Sequence, residues 1–267
     1  EYALADGAAA EAAKALGRGE DQEHFTRMSH SYRTYFDEQS GFIRGVDDKG
    51  EFRTPFKPYY ASHRNDDYCE GNAWQYTWLV PHDVQTLVDT LGGPEHFTAK
   101  LDTFFVEEGD RSNFGVDVTG LIGQYAHGNE PSHHIAYLYN YVGHQEKCAE
   151  RVRQILTELY FDDHSGVCGN EDAGQMSAWY VLSAIGLYQV DPAAGEFQFG
   201  SPIVHKATLN VGGGKTFTVI AHNNSMDNIY IQDVKLNGKP HAGTSITYDQ
   251  IKAGGTLEFT MGATPVK

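Results

Sequence analysis

No apolar run in this 267-residue chain approaches the roughly 18 residues that a membrane-spanning helix requires. Cysteine is scarce. Cys69, Cys148 and Cys168 form no close pair and no CxxC, so they allow at most one intrachain disulfide and exclude a disulfide scaffold. There is no P-loop, no GxGxxG after a strand, no GxSxG and no HExxH. Phosphoryl transfer, dinucleotide chemistry, serine hydrolysis and zinc peptidase chemistry thereby lose their usual support. Cations are also short: 20 Lys and Arg face 36 Asp and Glu, a net charge of −16. A surface that negative disfavours nucleic acid and anionic membranes as partners.

What is present points elsewhere. A hydrophobic fraction of 40% with 12% aromatics is too rich for disorder. The length suits one large domain or two unequal ones. Tyr at 16, Phe at 14 and His at 13 suit a surface that stacks on, and hydrogen-bonds to, a neutral polar molecule such as a sugar.

The chain opens on EYALADGAAAEAAKALG, which reads as a helix already under way, without a cap or a Met. This predicts a fragment or a processed chain. From residue 1 to about 190 the period is helical. Ala3, Leu4, Ala8, Ala12, Ala15 and Leu16 form one stripe up to Gly17. Phe25, Met28, Tyr32, Tyr35 and Phe36 repeat at three- and four-residue steps. An irregular stretch follows over 41–71, of the length that is usually functional or mobile. Further helices are expected over 72–79, 83–91, 95–106, 131–142, 145–160 and 174–187, several closing on Gly92, Gly143 and Gly186. Beyond 200 the period shortens to two. Strands are expected at 207–211, 216–220, 229–231, 234–236 and 256–260, separated by Gly-rich and Asn-Gly turns. The expected division is therefore 1–200, helical, and 201–267, a short antiparallel β segment. That segment is small for a self-sufficient sandwich, so its partner strands are expected elsewhere.

Four polar clusters sit at the mouths of the expected helices: Asp66 to Tyr76, Trp78 to Asp83, His127 to His134 and Gly169 to Tyr180. The first and fourth place carboxylates beside Gly-Asn or Ala-Gly and an aromatic helix. Glycosidic cleavage needs two carboxyl groups, one to protonate the leaving oxygen and one to attack the sugar or activate water. Glu70, four residues before Trp74, suits the acid, because aromatic surroundings help a carboxyl keep its proton. Asp172, in a polar glycine-rich turn, suits an ionised base. Each competes with a blander role as a helix cap or first-turn acid. His133-His134 is no i,i+4 zinc pair. The oxygen-rich surroundings of Glu130 and Asn170-Glu171 suit a hard cation such as calcium better than zinc. Trp74, Trp78 and Trp179 are candidate stacking platforms, though aromatics at helical spacing are more often core.

In this order, EGNAWQYTWLVPHD, GNEPSHHIAYLYNYVG, GNEDAGQMSAWYVLSAIGLY and Gly200-Ser201-Pro202 resemble the C-terminal half of glycoside hydrolase family 92, the calcium-dependent exo-α-mannosidases. The resemblance runs over almost the whole chain. It implies a mainly α fold: the later part of an (α/α)6 barrel, then strands that complete a β-sandwich region whose N-terminal domain is missing here. It implies release of terminal α-linked mannose from glycans by inversion, with Ca2+, in a secreted or periplasmic setting. By the same resemblance Glu70 is the general acid and Asp172 the general base. Some members carry a second acid two residues before that base; here the position is Asn170. Members that act on mannose phosphates replace the acid with an amide, and Glu70 is intact, which favours an ordinary glycoside. The GNEPSHH segment suggests an α-1,2 linkage. Trp74, Gln75, His127, Asn129, Glu130, His133, Asn170 and Glu171 become candidate substrate-binding residues. Gln75, Glu130 and Asn170 become candidate calcium ligands. Two alternatives stand beside this: a non-catalytic glycan- or calcium-binding fragment, and a phosphorylase on a similar toroid. The acidic Asn170-Glu171-Asp172 run, which repels phosphate, disfavours the phosphorylase.

Overall fold

A computed structural model describes residues 1–62, 66–112, 114–116 and 118–266. The chain forms two units, Glu1–His133 with Cys168–Asn170, and His134–Val167 with Glu171–Lys267. The change of period near 200 falls inside the second unit.

In the first unit, alanine-rich Tyr2–Ala15 forms α1 and Gly19–Ser29 forms α2, which pack on each other. The buried stripe of α1 is Ala3, Ala10 and Ala13, and Leu16 is exposed, so the expected face is rotated. A short hairpin follows, β1 Phe36–Asp37 with β2 Phe42–Ile43. Most of the 41–71 stretch is irregular, as expected. His63, Arg64 and Asn65 lie outside the described residues. The helix expected over 72–79 is one turn, α3 Ala73–Tyr76. Next come α4 Val84–Thr90 and α5 Pro94–Phe104, with Pro94 in the first turn, where its missing N–H costs nothing. The hairpin β3 Leu121–Ile122 and β4 Tyr125–Ala126 ends the run. Trp78, Phe97, Phe104 and Tyr125 are fully buried at its centre, with Trp78 set edge-on to Phe97 at 5.2 Å.

The second unit opens on residues Ile135–Val142, a 3-10 helix where an α-helix is expected. It stops at Gly143, whose φ of +79° ends helices at little cost for glycine. The helix α6 Gln145–Glu158 buries Cys148, Ala149, Val152, Ile155 and Leu156, one stripe of period 3.6. The helix α7 Gln175–Ala184 follows. Then come β5 Leu187–Tyr188, β6 Glu196–Phe199, β7 Lys206–Gly212, β8 Lys215–His222, β9 Tyr230–Leu236, β10 Lys239–Pro240, β11 Ser245–Thr247, the short α8 Tyr248–Lys252, and β12 Gly255–Gly262.

The β region differs from expectation in two ways. The five-stranded sheet, ordered β10-β9-β12-β8-β7, is mixed: β12 runs antiparallel to β9 but parallel to β8. A second sheet, β11-β6-β5, lies in the same unit. Its strands are two to four residues long, too short to leave a periodic signal. Phe217, Val219 and Ala221 of β8 alternate inward, as do Leu257, Phe259 and Met261 of β12. They share one apolar cluster with Leu187, Phe197, Phe199 and Ile246 of the second sheet. The two sheets thus share a common core.

Arg153 ties α6 to this region. It is 6% exposed, and its guanidinium reaches Ser201 Oγ, the carbonyls of Pro202 and Ser225, and Asn224 Oδ1 at 2.7–3.3 Å. Ser201, fully buried, in turn donates to the Ile229 carbonyl at 2.6 Å. All three cysteines are free thiols. Among the described residues, no helix is long and apolar enough to cross a membrane.

Candidate active site

The first polar cluster is built around a capping box. Asn72 Oδ1 accepts from the N–H groups of Trp74 at 2.9 Å and Gln75 at 3.3 Å, while Gln75 Oε1 accepts from the Asn72 N–H at 2.8 Å. The remaining amide groups are used as well. Asn72 Nδ2 donates to Gln124 Oε1 at 3.0 Å, and Gln75 Nε2 donates to the Gln124 carbonyl at 2.6 Å. Gln124 Nε2 donates to the carbonyls of Glu107 and Glu108. Asn72, Gln75 and Gln124 are at most 2% exposed. A buried polar network satisfied this fully is rigid, because every alternative strands a polar group.

Glu70 is attached to this network through its main chain. Its N–H donates to the Tyr76 hydroxyl at 3.1 Å, and its carbonyl accepts from Asn129 Nδ2 at 2.6 Å. Asn129 is 4% exposed. It is expected to touch substrate, and one N–H of its amide is given to the backbone of the candidate acid.

His127 and His133, also expected at the substrate, are interior. They are 0% and 2% exposed, with ring centroids 5.0 Å apart. His133 Nε2 donates to the His127 carbonyl at 2.9 Å, which fixes the proton of its neutral ring on Nε2, since a carbonyl only accepts. His127 Nδ1 shares a 2.7 Å hydrogen bond with the Tyr125 hydroxyl. Burial lowers the His133 pKa to about 4, and burial together with the nearby His133 holds His127 well below the usual histidine range. Both rings are neutral.

Trp74 is 8% exposed and is enclosed by aromatics, edge-on to Phe42 at 4.9 Å and stacked on Tyr59 at 6.2 Å. A sugar platform needs an open ring face, and Tyr59 is stacked on this ring. The Lys100 ammonium lies 3.7 Å from the Phe42 ring centre and 5.0 Å from that of Trp74. Burial lowers its pKa to about 8. Trp78 and Trp179 are fully buried, as the core reading of the aromatics expects.

The GNED segment is divided between the units. Cys168–Asn170 lies with the first, where Gly169 abuts Gly128 so closely that a Cβ on Gly169 would stand 2.6 Å from the Gly128 Cα. Two glycines are what that approach of two backbones demands. Asn170 is exposed there, and Glu130 is half-buried in a 3-10 turn, Glu130–Ser132. Glu171 and Asp172 belong to the second unit. The Glu171 carboxylate accepts from the Ser177 N–H at 3.1 Å and from Ser177 Oγ at 3.0 Å, so it serves the first turn of α7. Asp172 is exposed, with φ of +45°, and Ala173 follows at +56°. Two successive non-glycine residues in the left-handed region cost about 1 kcal/mol or more each. Their strain sits at the candidate base.

The glycosyl hydrolase family 92 catalytic domain matches residues 1–263. The chain belongs to that family. Among solved structures, a family 92 α-mannosidase from Bacteroides thetaiotaomicron in complex with mannoimidazole is 39% identical, with a TM-score of 0.95 over 100% of this chain and 36% of the other. A family 92 inverting mannosidase from the same organism is 36% identical, with a TM-score of 0.87 over 99% of this chain and 37% of that one. A protein of Arthroderma benhamiae described as an uncharacterized secreted glycosidase is 28% identical over 98% of this chain and 35% of its own length. The chain thus spans about a third of the length of the relatives it matches.

Within this family 92 chain, the residues proposed for calcium are Gln75, which is buried, Glu130, which is half-buried, and Asn170, which is exposed. Both polar atoms of the Gln75 amide are committed to the network around Asn72 and Gln124. No group of three or more His, Cys, Asp or Glu suited to a metal gathers among the described residues. The residues that reading the sequence missed are Asn72, Tyr76 and Gln124. Asn72 and Gln75 stand three apart, the spacing of a capping box, and were legible as one. Gln124 is lodged between two short strands and left no signal.

Proposed function

We propose that this chain carries the acid and the base of an exo-α-mannosidase that hydrolyses terminal α-linked mannose with inversion. The observation that supports it most is the match to family 92 over residues 1–263, together with likeness to a solved inverting mannosidase at 36% identity. Protonated Glu70 gives its proton to the glycosidic oxygen as the bond to the anomeric carbon breaks. Asp172, ionised, takes a proton from a water that attacks the opposite face. An inverting pair stands roughly 6.5–9.5 Å apart to leave room for that water. The exposed Asp172 carboxylate suits water activation. The main-chain grip on Glu70 suits a group that must meet one oxygen in one direction.

The helices are proposed as part of an (α/α)6 barrel, with the later strands serving a sandwich region. Export is proposed by extension from the relative described as secreted. The substrate is proposed as a mannose-containing glycan with an α-1,2 linkage. Calcium rests on the family resemblance alone. No step above passes through an ion. Testing requires Glu70→Gln and Asp172→Asn in the enzyme as its source expresses it, assayed on α-1,2-, α-1,3- and α-1,4-linked mannobiosides with and without EDTA. Loss in both variants supports the assignment. Full activity in either refutes that residue's role, absence of α-1,2 cleavage refutes the linkage, and activity unaffected by EDTA refutes calcium.

A further inference from the structure

Glu70 sits in a segment without regular secondary structure, so no helix or strand ladder fixes its peptide groups. Both are nevertheless held, and by side chains. Tyr76, six residues on, takes the N–H at 3.1 Å; Asn129, 59 residues away in sequence, gives its Nδ2 proton to the carbonyl at 2.6 Å. Neither bond touches the Glu70 carboxyl. They determine where its Cα–Cβ bond points. Behind them, Asn72, Gln75 and Gln124 lock the one-turn helix that carries Tyr76, and burial pushes the Tyr76 phenol above its ordinary pKa, so it stays protonated. Every member of this lattice is uncharged, so its geometry does not change as the acid cycles between its two protonation states.

We propose that Asn129 and Tyr76 are positioning residues for the acid step, aiming the Glu70 carboxyl at the leaving oxygen by clamping its backbone. The proposal rests on the reading of Glu70 as the general acid. It replaces a substrate-contact role for Asn129 with one exerted through Glu70. Asn129, buried with its amide donated to a carbonyl, has no N–H aimed at a sugar along that bond.

A misaimed acid hurts only substrates that need the proton. A sugar alkoxide is a poor leaving group and requires protonation as the bond breaks; a dinitrophenolate leaves without it. Asn129→Ala removes one clamp. Tyr76→Phe removes the hydroxyl alone and keeps the ring, so it remains informative should the alanine variant fail to fold. It also gives up a 3.3 Å bond from that hydroxyl to Glu1 Oε1. Both variants, with Glu70→Gln as reference, are assayed as the source-expressed enzyme on an α-linked mannobioside and on 2,4-dinitrophenyl α-mannoside.

The expected result for each clamp variant is a fall in kcat of about 10- to 100-fold on the mannobioside, the cost of roughly an ångström of misplacement. The aryl mannoside should lose no more than about threefold, because it does not draw on the acid. Glu70→Gln should show the same selectivity more strongly. If Glu70→Gln is selective for the poor leaving group but the clamp variants lose equally on both substrates, or lose nothing, the positioning role is overturned. If Glu70→Gln itself loses equally on both substrates, the acid assignment fails and the clamp falls with it.

Discussion

Acidification should loosen the His127–His133 pair. The folded His133 pKa is about 4 because burial opposes its charge, against an ordinary value of 6.5. Between those two values the unfolded chain binds a proton that the folded one refuses. The contribution is therefore complete above pH 6.5 and is lost as pH falls toward 4. The values differ by about 2.5, which at 1.36 kcal/mol each limits the loss to about 3 kcal/mol, with about 2 kcal/mol gone by pH 5. His127, also held low, adds to this in the same direction. The measurement is the urea midpoint of unfolding at steps from pH 7.5 to 4.5, for the natural protein and for His133→Gln. Glutamine keeps a donor for the His127 carbonyl but cannot titrate. The substitution should flatten the acid limb by about 2 kcal/mol at pH 5 while costing far less at pH 7.5. Identical pH slopes in the two proteins would refute the reasoning.

Arg153→Met should destabilise by at least about 2 kcal/mol, because it strands buried acceptors on Ser201, Pro202 and Asn224; a urea midpoint within error of the parent would contradict this. Lys100→Met should behave in the opposite sense. A lysine whose folded pKa is about 8 instead of 10.5 costs stability below pH 8, and that cost fades as pH rises toward 10.5. The variant's melting temperature should therefore match or exceed the parent's at pH 7, and its advantage should shrink by pH 10. Asp172→Gly should relieve the left-handed strain and raise the melting temperature slightly while abolishing turnover. A loss of stability would mean the turn is held by more than its backbone preference.

What the sequence made legible follows from signal length. The helix stripe of α6 and the alternation of β8 and β12 extend over enough residues to declare a period. The strands β5, β6 and β11 are too short for that, and they are the ones that turn an undersized tail into two sheets sharing a core. The parallel pairing of β12 with β8 is a matter of chain path, which alternation cannot report. In the site, motif order was enough to bring Glu70 and Asp172 forward. It could not tell contact residues from supports. His127, His133, Asn129 and Trp74 have the chemistry of sugar ligands, and the sequence does not report that all four are buried, with Asn129 bonded to the Glu70 carbonyl and His133 to the His127 carbonyl.

The central claim, inverting hydrolysis of an α-mannoside, is tested most directly by following the anomeric configuration of the first mannose released. Proton NMR during early turnover of an α-linked mannobioside by the source-expressed enzyme should show β-mannose first, with α-mannose appearing only as mutarotation proceeds. Initial release of α-mannose, or no release of mannose, would contradict the account.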